Sequence, residues 1–285
     1  RDPTLIDTAV IEKIRDANPL APLHNPANLL GIEVALEAAP QLPQVAVFDT
    51  AFHSSLPDYA YRYALPQAFY RDYRVRRYGF HGTSHSYVSR EAAGLLERPL
   101  DRLRLITLHL GNGASAAAIR DGVCVDTSMG MTPLEGLVMG TRCGDIDPSI
   151  PFYIARQTGL DMDRVEDMLN RESGLKGLCG THDMREVQRL ADSGDASAQL
   201  ALNMVYQRLK KTIGACIAVL GGLDALVFTG GIGENDRRLR AAVCTGLEQF
   251  GFRLAAAANE SAQPGNRAVH GTGPSPASMV VPTNA

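Results

Sequence analysis

The residues best suited to chemistry lie in one short segment, Val138-Met-Gly-Thr-Arg-Cys-Gly-Asp-Ile-Asp-Pro-Ser149. It sets a single arginine, Arg142, among small residues and the acids Asp145 and Asp147, ahead of a helix predicted to open at Pro148. A planar guanidinium on a glycine-bounded loop suits recognition of phosphate or carboxylate oxygens. Two further segments, Leu108-His-Leu-Gly-Asn-Gly113 and Val227-Phe-Thr-Gly-Gly-Ile-Gly-Glu-Asn235, each follow an apolar strand-like run and end in glycines. Without a Cβ, the backbone there can approach a nucleotide closely. A lone glycine turn often means only tight packing. Asp49 closes the apolar run Val45 to Phe48, at the end of a strand where open α/β sheets place ligands. Taken alone, an Asx turn or helix cap explains it better.

His81 and His85 stand four apart in His-Gly-Thr-Ser-His. That spacing invites a metal reading, but no HExxH context or third ligand accompanies it, which argues against zinc. Walker A and GxGxxG patterns are both missing, so P-loop and dinucleotide readings fail.

The elements that must carry these residues alternate between helix and strand. Asn25-Pro26 opens a helix with a stripe of Leu29, Ile32 and Leu36. Val45 to Phe48 reads as a short buried strand, and Ser84 as the cap of a helix carrying Tyr87, Val88, Ala92 and Leu95. Residues 103–110, 114–120 and 123–126 read as strands, the last two joined by a hairpin turn at Asp121-Gly122. A helix from Asp147-Pro148 closes near Gly159, and a long one runs from about Ser197 to Leu220. The strand Ala225 to Phe228 follows, then a helix from Asn235 through Phe250, a loop over 263–278 and a last strand at 279–281. The pattern is α/β with a mixed sheet.

Composition excludes several function classes. A chain of 285 residues with 45% hydrophobic and 21% charged residues is ordinary for a globular enzyme of one large or two smaller domains. A formal net charge of -3 gives no support for nucleic-acid binding, and the cluster Arg71, Arg74, Arg76, Arg77 reads as a solvated loop. No apolar run reaches the length of a membrane span. Arg1-Asp-Pro-Thr lacks an apolar signal core, so the chain reads as cytoplasmic. The 5 cysteines, without CxxC spacing, favour reduced thiols.

These segments, with Val47-Phe-Asp-Thr-Ala-Phe-His53 and Arg77-Tyr-Gly-Phe-His-Gly-Thr-Ser-His85, together resemble the acetate kinase family, in order from about Ala21 to Asn284. The resemblance implies an α/β fold of two ribonuclease-H-like domains of the actin, hexokinase and Hsp70 type, with a nucleotide in the cleft between them. Residues 1–52 would be a remnant of the first domain, incomplete in this chain, and residues 53–285 the second, nucleotide-binding domain. It implies reversible transfer of the ATP γ-phosphate to acetate, with Mg2+ or Mn2+, in a cytoplasmic homodimer. Arg142 and His81 would act on the phosphoryl group, and Asp49 would help position the metal. His109, Leu110, Gly111, Asn112 and Gly113 would meet the phosphates. Asp183, Met184 and Arg185, with Gly231, Ile232, Gly233, Glu234 and Asn235, would meet the adenosine side. Leu23, His24, Phe80 and Pro133 would form the acyl pocket, bulky enough to favour a short acyl chain such as acetate or propionate. His85 reads as a helix-start or packing residue, and His53 and His270 as structural or exposed. Cys143 replaces the family's usual serine, placing an oxidation-sensitive thiol beside Arg142.

The family's Asn-x-Gly-Ser-Ser-Ser-x-Lys phosphate loop and His-Arg-x-x-His-Gly-Gly segment do not occur here, and Ala285 stands where the family has a metal-binding Glu. These 285 residues by themselves are therefore expected to lack appreciable kinase activity. The alternatives are an inactive homologue that keeps only nucleotide binding, and a butyrate kinase.

Overall fold

The structure, a computed structural model, describes residues 3–18, 25–262, 268–269 and 276–283. β1 (Thr4–Leu5) leads to α1 (Thr8–Asp16), whose N-terminus is capped by Asp7 accepting the Val10 N–H at 2.8 Å. After α2 (Asn25–Ala38), β2 (Val45–Ala46) pairs antiparallel with β1. The strand expected to be buried over Val45 to Phe48 is shorter and open, with Val45 and Val47 54% and 62% exposed. Side chains alternate across a strand, and with β1 as the one ladder partner among the described residues this alternate set stays uncovered.

A 3-10 turn at Ala51–Ser55, α3 (Asp58–Tyr61) and α4 (Gln67–Tyr73) precede α5 (Gly82–Leu95). A meander of β3 (Arg104–Leu110), β4 (Ala114–Arg120) and β5 (Val123–Thr127) follows. Asp121 and Gly122 turn between β4 and β5 with φ of 55° and 79°, the positive values that a two-residue hairpin needs. Next come α6 (Ile150–Thr158), α7 (Met162–Arg171), α8 (Gly174–Cys179) and α9 (Met184–Asp192). The long α10 (Ala196–Leu220) has Asp195 as its cap and closes at Gly221. The chain continues through β6 (Ala225–Thr229), α11 (Gly230–Asn235), α12 (Arg237–Cys244), α13 (Ala256–Ser261), β7 (Ala268–Val269) and β8 (Ala277–Val280).

Two expected boundaries shift. The helix expected from Asn235 to Phe250 is broken: the glycine turn forms α11, and Asp236 caps α12 by accepting the Leu239 N–H at 2.9 Å. An Asp side chain competes with the helical ladder for backbone donors, which favours a new start over continuation. Likewise α5 begins at Gly82 with His81 as its N-cap, while the Ser84 side chain reaches His109 instead of capping.

The main sheet has the order β5-β4-β3-β6-β8-β7, with β3, β6 and β8 parallel. Ile106, Leu108, Leu110, Ala116, Ala118, Leu226 and Phe228 pack with Leu202, Val205, Leu209 and Ile213 of α10. Leu105, Ala117, Ile119, Ala225 and Val227 pack with Val88 and Ala92 of α5 in a second cluster. Burial on both faces explains why the strands read as near-continuous apolar runs. On the α5 side, Thr107 and His109 of β3 and Ser115 of β4 are polar, and they sit toward the carboxyl end of β3.

Of the arginine cluster, Arg71 and Arg74 are exposed as expected, but Arg76 and Arg77 are turned inward. Arg77 donates through Nη1 to the carbonyls of Thr127, Ser128 and Met129 and through Nη2 to Glu135 at 2.7 Å, with 17% of its side chain exposed. Arg76 stacks 3.7 Å from the Tyr61 ring centre. Tyr63 donates to the other Glu135 oxygen. Spare carbonyls at the end of β5 draw the guanidinium inward, a demand that a run of arginines does not disclose.

Candidate active site

Asp49 is exposed, and its carboxylate accepts the His81 N–H at 2.6 Å while its carbonyl accepts the Gly82 N–H at 2.8 Å. A Cβ at Gly82 would lie 2.2 Å from that carbonyl oxygen, so only glycine permits this junction. His81 adopts φ of 58°, a left-handed conformation costing about 1–2 kcal/mol in a non-glycine residue. The paired bonds to Asp49 hold it there. In place of the Asx turn or helix cap expected of a lone Asp here, one of its oxygens anchors the start of α5.

Behind His81 lies a cluster of imidazoles. The His81 ring stacks on His109 with centres 4.3 Å apart, and Ser84 Oγ lies 2.9 Å from His109 Nδ1. His85 is fully buried and bonded on both nitrogens, to Thr107 Oγ1 and Ser115 Oγ. His53, also fully buried, lies 2.9 Å from the Phe80 carbonyl and 3.2 Å from Cys124 Sγ. Burial holds His53, His85 and His109 below the ordinary histidine range, and Asp49 and Glu234 partly offset this at His109. Neutral imidazoles of this kind offer hydrogen bonds rather than charge.

Arg142 sits on a tightly tied loop. The N–H groups of Ser173, Leu175 and Lys176, around the start of α8, donate to the carbonyls of Thr141, Met139 and Gly140, and the Met139 N–H donates to Arg142 itself. Asn112 at the β3–β4 tip accepts the Gly140 N–H at 3.0 Å, locking that turn onto the arginine loop. The half-buried Arg142 guanidinium donates to the Pro133 carbonyl at 3.2 Å and approaches Met139 Sδ at 3.8 Å. Among the described residues it forms no ion pair, and burial draws its pKa below the ordinary value. An arginine side chain stays charged regardless. The neighbouring acids face elsewhere: Asp145 binds the Gly136 N–H and pairs with Arg208, and Asp147 caps the Ser149 N–H. A cation held half-buried without a counter-ion is a ready anion site.

Gly113 brings these groups together. A Cβ there would lie 3.2 Å from Arg142 Nη1 and 3.5 Å from His81 Nε2. The glycine turns also adjoin one another, because β3 and β6 are parallel neighbours with His109 opposite Thr229. Gly230 is pressed against Leu110, where a Cβ would lie 2.7 Å from the carbonyl oxygen.

Some expected contacts are redirected. Met184 is 7% exposed and packs in the core, so its side chain is not presented at the turn. Arg185 pairs with Asp183 at 2.6 Å, and that partner lowers the Asp183 carboxyl to about 2. Glu234 accepts the Thr283 N–H at 2.9 Å, and Asn235 donates back to the Gly231 carbonyl. Cys143 has its thiol pushed up by burial, which disfavours the thiolate through which the expected oxidation sensitivity would act. Phe80 packs at the edge of the core, while Leu23, His24, His270 and Ala285 lie outside the described residues.

Sequence reasoning missed Arg240. It is 1% exposed and donates to Asn259 and to the carbonyls of Gly233 and Glu234, fixing the end of the glycine turn. Nothing in Asp236-Arg-Arg-Leu-Arg240 marks it beyond the helical spacing that aligns Arg240 with the buried Val243 and Cys244. A cavity of about 640 Å³ lies beyond the Ala51–Ser55 turn, lined by Arg71, Arg74, Arg76, Tyr70 and Tyr78. Of the histidines it includes only His53, so it is separate from the Arg142 and His81 site.

The sequence model of the Acetokinase family matches residues 1–285. The chain belongs to this family. An acetate kinase from a Sulfurovum species is 57% identical over 283 residues, covering 99% of this chain and 72% of that protein. The crystal structure of Porphyromonas gingivalis acetate kinase matches with a TM-score of 0.94 at 44% identity, covering 99% of this chain and 71% of that one. A propionate kinase from Francisella tularensis matches with a TM-score of 0.93 at 45% identity, covering 99% and 72%. The mixed α/β sheet is thus that of the acetate and propionate kinases, an actin- and hexokinase-like arrangement. Asp49, His81, Gly113 and Arg142, from four separate segments of the sequence, thus lie together.

Proposed function

We propose that the protein transfers the γ-phosphoryl group of ATP to acetate, reversibly, by direct in-line displacement. The observation that carries the reading is Arg142, half-buried beside His81 with no acid partner among the described residues. Acetate is already ionised near neutral pH, so its oxygen attacks phosphorus without a general base. The bond to the β–γ bridging oxygen breaks, its electron pair goes to ADP, and no proton moves. What remains is to bring two anions together, a task of positioning and charge neutralisation.

Arg142 meets the equatorial phosphoryl oxygens, as arginine does in other phosphoryl transfers, and His81 adds a hydrogen bond. Backbone groups from His109 to Gly113, with the Asn112 side chain, meet the phosphates. The turns Asp183–Arg185 and Gly231–Asn235 flank adenosine, the first through backbone and charge because Met184 is buried. Phe80 and Pro133, with Leu23 and His24, bound the acyl group. A methylene shifts binding by only about 1–3 kcal/mol, so propionate is a second substrate.

Magnesium typically takes one or two carboxylates and completes its shell with water and phosphate. Asp49 fits that donor set as an exposed carboxylate, and the described residues contain no cage of three or more acids, histidines or cysteines. Mg2+ or Mn2+ held there would neutralise phosphate charge. We also place the boundary between the two domains near Phe52 and take the protein as a cytoplasmic homodimer; no helix among the described residues is long and apolar enough to cross a membrane.

Trapping of acyl phosphate as its hydroxamate tests the reading in the full-length protein, with ATP, Mg2+ and acetate, propionate or butyrate supplied in turn. Acetyl hydroxamate is the expected product, with propionate slower. No product from any of the acids would overturn the assignment, and preference for butyrate would move it to butyrate kinase. The names of the close relatives favour acetate, and favour transfer over nucleotide binding alone.

A further inference from the structure

Behind the reacting edge of His81 runs a chain of hydrogen bonds that the displacement itself does not use. Strand alternation turns Thr107 and Ser115 toward α5, where His85 lies one helical turn beyond His81. His85 Nδ1 is 2.7 Å from Thr107 Oγ1, and His85 Nε2 is 2.8 Å from Ser115 Oγ. Ser115 Oγ is in turn 2.8 Å from His81 Nδ1. Thr107, His85 and Ser115 are each fully buried.

Counting protons gives the chain a direction. Among the described residues the Thr107 hydroxyl has this single hydrogen bond. A hydroxyl proton without an acceptor in a dry interior is costly, so it goes to His85 Nδ1. Neutral imidazole carries one N–H, and burial holds His85 well below its ordinary value and hence neutral. Its proton therefore sits on Nε2 and is donated to Ser115 Oγ. The Ser115 proton then goes to His81 Nδ1. With Nδ1 an acceptor, the His81 ring carries its proton on Nε2, the edge beside Gly113 and Arg142. Run in reverse, the chain would strand the Thr107 proton and aim a lone pair at the phosphoryl oxygens.

We propose that Thr107, His85 and Ser115 are positioning residues that fix His81 as its Nε2–H tautomer, so that it meets the phosphoryl group as a donor. The catalytic part of this rests on assigning His81 to that group, whereas the tautomer can be measured without turnover. The experiment is 15N NMR of the protein labelled at histidine, with the His81 signals identified by their loss in His81→Gln. The expected spectrum has a pyrrole-type Nε2 and a hydrogen-bonded, pyridine-type Nδ1. A protonated Nδ1 in the unmodified protein overturns the proposal.

Ser115→Ala then reads the consequence. The Nδ1 signal should move to that of an unbonded nitrogen, and kcat should fall about tenfold, the scale of one hydrogen bond. The KM for ATP should stay within about twofold, since transition-state contacts act on turnover. Ser115→Thr keeps the hydroxyl and should restore both signal and rate. An alanine variant with unchanged kcat would also overturn the proposal. An unmodified protein that makes no acyl phosphate but shows the Nε2–H tautomer would sink the kinase reading and leave the relay standing.

Discussion

Replacing Gly113 by alanine adds one methyl group at the point where the site converges. Its Cβ would lie 3.2 Å from Arg142 Nη1 and 3.5 Å from both Cε1 and Nε2 of His81. Comfortable contacts between such atoms begin near about 3.5 Å, so the guanidinium must retreat by a few tenths of an ångström. The methyl also takes up space between the groups assigned to the phosphoryl oxygens. A misplacement of about 1 Å can cost about a hundredfold; a smaller shift with partial occlusion should lower kcat by about 10- to 50-fold. Gly113 is not among the glycines with positive φ, so alanine fits the backbone. Loss of unfolded-state freedom should even add about 0.4–1 kcal/mol of stability. The signature is thus lower turnover with an equal or higher melting temperature, read by hydroxamate kinetics and thermal unfolding. Turnover within about threefold of the unmodified protein, in a variant that folds, would refute the placement of the reacting group between Arg142 and His81.

Arg142→Ala should lower kcat by about a thousandfold or more while changing the KM for ATP little, the pattern of transition-state charge stabilisation; an effect confined to KM would reassign it to ground-state binding. Arg77→Ala should destabilise the fold by about 2–4 kcal/mol, because it strands Glu135 and the carbonyls of residues 127–129, and an unchanged urea midpoint would contradict that. Gly214 lies within α10, and a methyl added there would meet nothing within 4 Å, so Gly214→Ala should add about 1 kcal/mol and leave kcat alone; a lower melting temperature would count against it. His53 and His85 have folded-state pKa values below the unfolded 6.5, so the stability from keeping them neutral is present above pH 6.5 and is lost as pH falls below it. The urea midpoint should therefore drop between pH 7.5 and pH 5.5, by less in His53→Gln, and a flat profile would show that burial does not set these groups.

Much of the framework was legible from the sequence because its signals are local. The β3–β4–β5 meander, the Asp121-Gly122 turn, the long α10 and β6 follow from apolar period and turn chemistry. The glycine setting of Arg142 and the two glycine turns was legible in the same way, because residue type and spacing are local. The break at Asp236 and the start of α5 at Gly82 were misplaced because a side chain's choice among backbone donors depends on the contacts available.

Only the tertiary structure decided which polar groups face one another. Asp145 and Asp147 are sequence neighbours of Arg142 yet turn away, while His81, from a distant segment of the chain, meets it across Gly113. Thr107 and Ser115 carry no motif, and His85 reads only as a helix-start or packing residue; strand parity and the seat of α5 on the sheet bring them into one chain. Arg77 reads as part of a solvated loop but is drawn inward by carbonyls from a distant segment, and Arg240, which no sequence signal marks, is buried against the carbonyls of the glycine turn. Burial and hydrogen-bond satisfaction belong to packing between segments, and a sequence read along its length fixes the residue types without fixing their partners.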